Sequence, residues 1–515
     1  MANETTPSEN TVNGSIHSAA EKEKDQTNKE SFIPSERVDD FPHGIKLALL
    51  IVALCLSVFL VALDNTIIAT AIPRITDEFK SLDDISWYGS AYLLATAATQ
   101  LLFGKFYSFL PIKWVYITAI TIFEIGSAVC GAAPTSNALI GGRAIAGFGS
   151  AGIFTGALII IGKLKSLHNI FVAEPSSAHA VPLSKRPMYT GLIGAMYGLA
   201  SVVGPLMGGA FTDKVTWRWC FYINLPIGAV TLFVMVFLFK MPHSADREPV
   251  EMSLWERIEK FDPFGTVVFI PAIVSLLLAL QWGGSKYEWS NGRIIGLFVV
   301  FGVLIICFIA VQLWKGDNAT VPPRVFKQRS IWSGAFFSLC LGAAFFILVF
   351  YLPIWFQAIK GTSAVKSGIS SLPMILSLVV GSLIAGSVVT VTGYYTPWLL
   401  VSTVLMSVGS GLLYTLRVNT GHSKWIGYQV LYGLGVGVGM QQPVIAAQTV
   451  LPLKDVPVGT SILMFLQTLG GALFISAGTN VFTNRLVSGL IRANIPGVSP
   501  RYRRAGWRHK LEEAH

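Results

Sequence analysis

Charge is the first thing this sequence has little of. Of 515 residues, only 13% are Asp, Glu, Lys or Arg, about half the share of an ordinary soluble chain. So few charges cannot cover the outside of a soluble fold of this size, which excludes a typical soluble enzyme, a nucleic-acid-binding protein and a disordered scaffold. Cysteine is scarce as well. Cys55, Cys130, Cys220, Cys307 and Cys340 all fall inside apolar blocks, with no CxxC or Cys/His spacing, so they read as small hydrophobes rather than a disulfide or metal framework. No GxSxG, HExxH or GxxxxGK[ST] occurs, and the eight histidines lie in tails and loops without ligand spacing. Nucleophilic-elbow hydrolysis, zinc proteolysis and ATP-driven pumping by this chain are thereby disfavoured. The expectation is a protein that is not an enzyme, with no cofactor and no metal site.

What is present is apolar. Hydrophobic residues make up 52% of the chain and mean hydropathy is +0.59. They come in blocks of about 20 residues, each long enough to cross a bilayer as a helix. The blocks fall near 46–70, 87–107, 114–133, 138–161, 187–211, 219–239, 263–282, 293–314, 331–356, 367–391, 397–416, 425–450 and 459–482, thirteen in all. Tryptophans such as Trp87, Trp114, Trp217, Trp289 and Trp425 cluster at block ends, where interfacial side chains belong. Residues 1–45 read as a disordered cytoplasmic tail. With the N-terminus inside, the loops carry twenty Lys and Arg inside against ten outside, as the positive-inside rule requires. The net charge of +10 therefore reads as topology, with no nucleic acid implied.

A charge at mid-bilayer costs about 2.5–3.5 kcal/mol on insertion scales, so each one needs a reason. Asp64 interrupts the first block in LDNTIIATAIP, Glu124 the third in ITIFEIGSAV, and Arg143 the fourth in GGRAIAGFGSAG. An intramembrane acid can carry a proton, because low dielectric disfavours its charged form. An intramembrane Arg stays charged and can pair with it. These three are the proton-coupling candidates; a structural ion pair or a snorkelling side chain is the bland alternative. The fifth block, GLASVVGPLMGGAF, gathers Gly198, Gly204, Pro205, Gly208 and Gly209 on one helix. That suits a kinked, closely packed seam that moves, or tight packing alone. In LYGLGVGVGMQQP, Gly433, Gly435, Gly437 and Gly439 alternate before Gln441 and Gln442, which suggests close packing or local unwinding. Gln441, Gln442 and Gln467 are candidates for a polar cavity, and interhelical hydrogen bonding explains them equally well.

Taken together, these segments resemble the Major Facilitator Superfamily, and within it the fourteen-span drug:proton antiporters of fungi that accompany toxin and secondary-metabolite pathways. The resemblance is carried by LDNTIIATAIP (63–73), LIGGRAIAGFGSAG (139–152), GPLMGG (204–209), WRWCFYINLPIG (217–228), LYGLGVGVGMQQP (431–443) and DVPVGTSILMFLQTLGGALF (455–474). It implies an all-α polytopic fold of two six-helix bundles plus an accessory helix pair. The implied segments are an N-terminal bundle over 46–239, a cytoplasmic loop and accessory spans seven and eight over 240–330, and a C-terminal bundle, incomplete, over 331–482. It implies proton-driven export of small amphipathic molecules by alternating access, with Arg143 in a proton-relay motif and Gly204–Gly209 in an antiporter hinge. It also implies a monomer whose partners are a small-molecule substrate, protons and the lipid bilayer, in the plasma membrane. Proton-coupled uptake, for instance of a siderophore, and a non-transporting paralogue are the alternatives.

Three departures stand beside it. In the loop GKFYSFLPIKW (104–114), Gly104, Lys105 and Lys113 fit a cytoplasmic gate, but Ser108 stands where the superfamily has Asp. Residues 162–180 read as an atypical loop insertion. Residues 483–515 read as an atypical basic tail where a fourteenth span is expected, so that thirteen spans are predicted.

Overall fold

The computed structural model describes residues 45–81, 84–171, 186–239, 259–284 and 287–493. The expectations for residues 1–44, for most of the 240–262 loop and for the last part of the basic tail lie outside these. Among the described residues the chain is helical, apart from one isolated bridge between Gly283 and Tyr287.

The first bundle contains α1 (Ile45–Phe79), α2 (Ile85–Phe109), α3 (Ile112–Gly131), α4 (Ser136–Phe171), α5 (Arg186–Lys214), the short α6 (Trp219–Tyr222) and α7 (Asn224–Phe237). An accessory pair follows, α8 (Pro263–Trp282) and α9 (Gly292–Lys315). After the one-turn α10 (Pro323–Phe326), the second bundle contains α11 (Arg329–Ala358), α12 (Ala364–Ser370), α13 (Leu372–Thr392), α14 (Thr396–Tyr414), α15 (His422–Gly439), α16 (Gln442–Val450) and α17 (Val456–Ala493). The first ten residues of the expected insertion prolong α4 to Phe171, and α17 runs on through 483–493.

Twelve of these segments are long and apolar enough to cross a membrane. The remaining predicted span, 87–107, is the helix α2, 25 residues long and outside that apolar set. Its polar side chains turn inward. Thr96 donates to the Gly147 carbonyl at 3.0 Å, Tyr92 to the Val61 carbonyl at 3.2 Å and Tyr107 to the Gly152 carbonyl at 2.8 Å, while Gln100 bonds Thr155. A helix that spends its polar groups on its neighbours reads as less hydrophobic without facing water. The accessory helix α9 is the opposite case: Ile295, Val299, Val303, Ile306 and Leu313 are all exposed, the outward apolar face of a helix bathed in lipid.

Each bundle has its own apolar core. Leu63, Ile67, Tyr88, Leu139 and Phe221 belong to one, and Leu341, Phe345, Met374, Leu378 and Tyr432 to the other. Small residues bring the helices close. The alternating glycines of α15 show how. Residues four apart share a helix face and residues two apart do not, so Gly433 and Gly437 press on the α13 carbonyls of Met374 and Leu378, while Gly435 and Gly439 press on Met406 and Ser402 of α14. Of the two alternatives for these glycines, close packing is the one the helix shows, since Gly433–Gly439 stay helical. The glycines are packing contacts, and the helix then breaks, with Met440 and Gln441 in a turn before α16 begins at Gln442.

One end of the molecule, where α2 finishes and α8 begins, is pinned by a buried acid. Asp262 is fully buried and adopts positive φ (+49°) as the cap of α8. Its carboxylate accepts from Gly265 N at 2.9 Å, Gln312 Nε2 at 3.1 Å, Thr320 N at 2.9 Å and Thr320 Oγ1 at 2.8 Å. It thereby ties α8, α9 and the segment leading to the second bundle together. Asp262→Ala should cost about 2 kcal/mol, since a cap is lost and buried donors are stranded. The check is a clearly lower thermal midpoint for the purified variant; an unchanged midpoint would contradict it.

The two bundles meet at this same end. Gln448 of α16 donates to the Leu158 carbonyl of α4 at 3.1 Å, Ser382 of α13 to the Gly191 carbonyl of α5 at 2.9 Å, and the Met188 amide of α5 to Thr390 of α13 at 3.1 Å.

Candidate functional site

The costly residues of the sequence converge inside the first bundle. Asp64 of α1 and Arg143 of α4 form an ion pair, Nη1 to Oδ2, at 2.5 Å, and both side chains are fully buried. Arg143 also donates through Nε to the Tyr88 carbonyl of α2 at 2.8 Å. Its guanidinium carbon lies over the Tyr92 ring at 4.5 Å and the Phe221 ring at 5.9 Å. Aromatic faces and a carbonyl thus complete the surroundings that desolvation strips from the cation. The second oxygen of Asp64 accepts from Asn224 Nδ2 of α7 at 3.2 Å, and the same nitrogen donates to Ser127 Oγ of α3 at 3.1 Å.

Asn224 and Ser127 were not singled out in the sequence. Asn224 sits in the recognisable segment WRWCFYINLPIG, and the signal that could have found it is a lone amide inside an otherwise apolar block.

Glu124, the third candidate, lies three residues before Ser127 on the same face of α3. It is 8% exposed. Its carboxyl abuts Gly228, one turn beyond Asn224 on α7, and neither carboxyl oxygen has a hydrogen-bond partner. Glycines make this proximity possible, since Gly126 of α3 presses on Ala146 of α4, and Gly149 of α4 on Ala119 and Phe123 of α3.

At the nearby end of the bundle, Glu78 accepts from Trp217 Nε1 at 2.6 Å and from Arg218 Nη1 at 2.8 Å. These bonds hold its carboxyl below the usual range, because each favours the charged form.

The hinge candidates divide between two neighbours. Gly204 and Gly208 press on Thr66, Ile67 and Thr70 of α1, within the first bundle. Gly198 instead meets Val379 and Leu378 of α13, across the bundle interface. Gly191 and Gly194, not singled out in the sequence, share that cross-bundle face and meet Ser382. Pro205 lies within the continuous helix α5, and Gly209 is half-buried beside Gly208.

Of the glutamines, Gln441 is 3% exposed and its amide oxygen and nitrogen both lack a hydrogen-bond partner. It sits against Gly194 of the opposite bundle. Nearby on α5, Tyr197 packs against both cores, bonds Asn65 and meets Phe154 edge-on at 6.0 Å. Gln442 donates to the Val438 carbonyl at 3.0 Å. Gln467 lies in the contact between α17 and Gly342 of α11, apart from the others.

The gate candidates lie at the end where the bundles meet. Gly104 of α2 faces Ser461 and Pro457 of α17. Lys105 is buried and donates to the Asn318 carbonyl at 3.0 Å, and Lys113 donates to the Val236 carbonyl at 2.7 Å. Ser108 turns back onto the Gly104 carbonyl at 2.9 Å. Arg324 clasps Asp455 through two bonds of 2.8 and 3.2 Å.

A multi-pass helical membrane protein, with two cored bundles, buried charge within the first and unpaired amide groups between them, has the form of a transporter rather than an enzyme. The chain belongs to the Major Facilitator Superfamily, whose family model matches residues 54–475.

Relatives agree. The chain is 60% identical to the MFS-type efflux pump MFS1 of Arthroderma benhamiae over 92% of this chain and 85% of that protein. It is 53% identical to the efflux pump aflT of Aspergillus parasiticus over 89% and 85%. Among solved structures, the proton:xylose symporter XylE bound to 6-bromo-6-deoxy-D-glucose superposes with a TM-score of 0.57 at 13% identity, over 86% of this chain and 90% of that one. The human organic anion transporter MFSD10 superposes with a TM-score of 0.54 at 14% identity, over 84% and 93%. At such identities the likeness concerns the fold.

Proposed function

We propose that this protein exports small amphipathic molecules, such as toxins, secondary metabolites or drugs, in exchange for protons. Transport proceeds by alternating access of the two bundles, in the plasma membrane, with the N-terminus in the cytoplasm. One observation carries the reading. A chain 60% identical to a protein named an efflux pump keeps two acids and one arginine buried in the interior of a membrane-spanning bundle. Buried intramembrane acids are expensive and mark proton or ion pathways by default. The direction of transport comes from the relatives' names, and the loop charges supply the orientation.

In this reading Asp64, Arg143 and Glu124 form the proton-coupling group. Gly198, Gly204, Pro205, Gly208 and Gly209 allow α5 to slide between α1 and α13. Gln441 offers a substrate an unpaired amide beside Tyr197. Gly104, Lys105 and Lys113 belong to the cytoplasmic gate. The protein works as a monomer and binds no cofactor.

The test uses inside-out vesicles loaded with acid, the membrane potential clamped, and rhodamine 6G as probe. Dye should accumulate in the lumen as protons leave, and a protonophore should abolish at least nine-tenths of the accumulation, which is one 1.4 kcal/mol step in the coupled driving force. Accumulation indifferent to the gradient would refute proton coupling. Accumulation only when the gradient is reversed would show uptake by symport instead.

A further inference from the structure

We infer that Glu124 is the residue that holds the exchanged proton in this conformation, and that Asp64 remains the ionised partner of Arg143. The role in exchange rests on the proton-coupled reading; the protonation itself does not.

The argument begins with a count of donors. Each oxygen of Asp64 accepts a bond, from Arg143 at 2.5 Å and Asn224 at 3.2 Å, and such bonds favour a carboxylate over a carboxylic acid. Glu124 is nearly as deeply buried, yet neither of its oxygens receives a donor. An ionised carboxylate taken out of water without a partner costs far more than a neutral carboxyl in the same place, and the group stays neutral instead.

The surrounding charges point the same way. On the helices packed about α3 at this level, the charged and titratable groups are Asp64 of α1, Arg143 of α4, Cys130 of α3 itself, Cys220 and Tyr222 of α6, and Tyr88 and Tyr92 of α2; α7 contributes only the neutral Asn224. Thiols and phenols are neutral near pH 7. Lys113 is eleven residues from Glu124 along α3, about 16 Å at 1.5 Å per residue. Lys105 is bound at that far end too. One guanidinium therefore serves two carboxyls, and it is engaged by Asp64. With Asp64 ionised, the cluster is electrically neutral only when Glu124 carries a proton.

The same cluster holds the means to switch. Asn224 Oδ1 is a buried acceptor without a donor, and Arg143 Nη2 a buried donor without an acceptor. Neither bonds Glu124 in this conformation; a shift of α3 or α7 would have to bring a protonated Glu124 to the first or an ionised Glu124 to the second. Asn224 Nδ2 already links Asp64 to Ser127, one turn from Glu124. Movement of α3 or α7 that admits water would let the Glu124 proton leave, with Asp64 and Arg143 holding their places. The proton passes from the Glu124 carboxyl to that water, and no covalent bond other than the carboxyl O–H is broken.

The test is infrared spectroscopy of the purified full-length protein in liposomes, recorded as a pH difference through the neutral range. The wild type should show the C=O stretch of a protonated carboxyl at pH 7. Glu124→Gln should abolish that band, and Glu124→Asp should shift it. Because Gln is the neutral isostere, Glu124→Gln should leave the thermal midpoint unchanged, which a merely structural ionised Glu124 would not. A band that persists in Glu124→Gln, or a folded wild type without one, would overturn the inference. In acid-loaded inside-out vesicles, Glu124→Gln should reduce gradient-driven rhodamine 6G accumulation at least tenfold. A wild type that ignores the gradient would sink the proton-coupled reading, and the infrared band would still decide whether Glu124 holds the proton.

Discussion

Arg143→Ala is expected to lower stability by about 3–5 kcal/mol, the range found when one partner of a buried ion pair is removed and the other is left behind. Three groups lose their donor at once. Asp64 keeps a charge inside the bundle with only Asn224 to meet it, the Tyr88 carbonyl loses its 2.8 Å bond, and the Tyr92 ring loses its cation. In a fold whose whole stability is of order 5–15 kcal/mol, such a loss should be visible as a sharply reduced yield of monodisperse protein from a fluorescent fusion on size-exclusion chromatography. Arg143→Lys should recover only part of it, because a lysine can approach Asp64 but cannot bond the Tyr88 carbonyl from the same planar fork. Adding Asp64→Asn to Arg143→Ala should restore yield over the single variant, since the stranded carboxylate is then gone. An Arg143→Ala protein as stable as wild type, or a double variant no better than the single, would show that the pair is not the anchor described here.

That cluster was half legible in the sequence. Asp64, Glu124 and Arg143 announced themselves through the cost of charge in lipid, which needs no knowledge of the fold. Their pairing did not, because Asp64 and Arg143 are 79 residues apart and only the helix packing brings them together. Asn224 was hidden for a different reason: a buried amide is satisfied by ordinary interhelical hydrogen bonding, so its type alone does not single it out as a charge in lipid does. The same holds for Gln100, which looks like a weak spot in the second span until its bond to Thr155 is seen.

Periodicity carried further where backbone contact was concerned. The two-residue spacing of Gly433 to Gly439 encodes two opposite packing faces of α15, and the four-residue spacing of Gly204 and Gly208 encodes one face toward α1. Ser108 itself turns back onto the Gly104 carbonyl. The bonds at this end instead join Lys105 with Asn318, Asp262 with Thr320, and Arg324 with Asp455. All three reach into the stretch between the accessory pair and the second bundle, which no local motif records.

Gly104→Leu should separate folding from transport. A Cβ at Gly104 would meet Ser461 Oγ, lie 2.7 Å from Ser461 Cβ and 3.4 Å from the Pro457 carbonyl of α17. α2 belongs to the first bundle and α17 to the second, so the clash falls where the bundles close on each other and not inside either core. Overpacking of this kind costs about 1–3 kcal/mol. Under alternating access the cost is felt only in the conformation closed at this end, and a bias of that size shifts a two-state ratio about 5–150-fold. The variant should therefore fold in near-normal yield and lose gradient-driven rhodamine 6G transport by a comparable factor. A cysteine placed at Gln448, 4% exposed and bonded across the interface to Leu158, reports the opening directly. In inside-out vesicles it should react with a membrane-impermeant maleimide faster in the Gly104→Leu background than with Gly104 intact. Ser461→Gly should partly reverse the effect in a Gly104→Ala background, because the smaller intrusion then has room. If labelling is the same with and without Gly104→Leu, the contact between α2 and α17 is not part of the closure. The gate must then lie with the neighbouring bonds between α5 and α13.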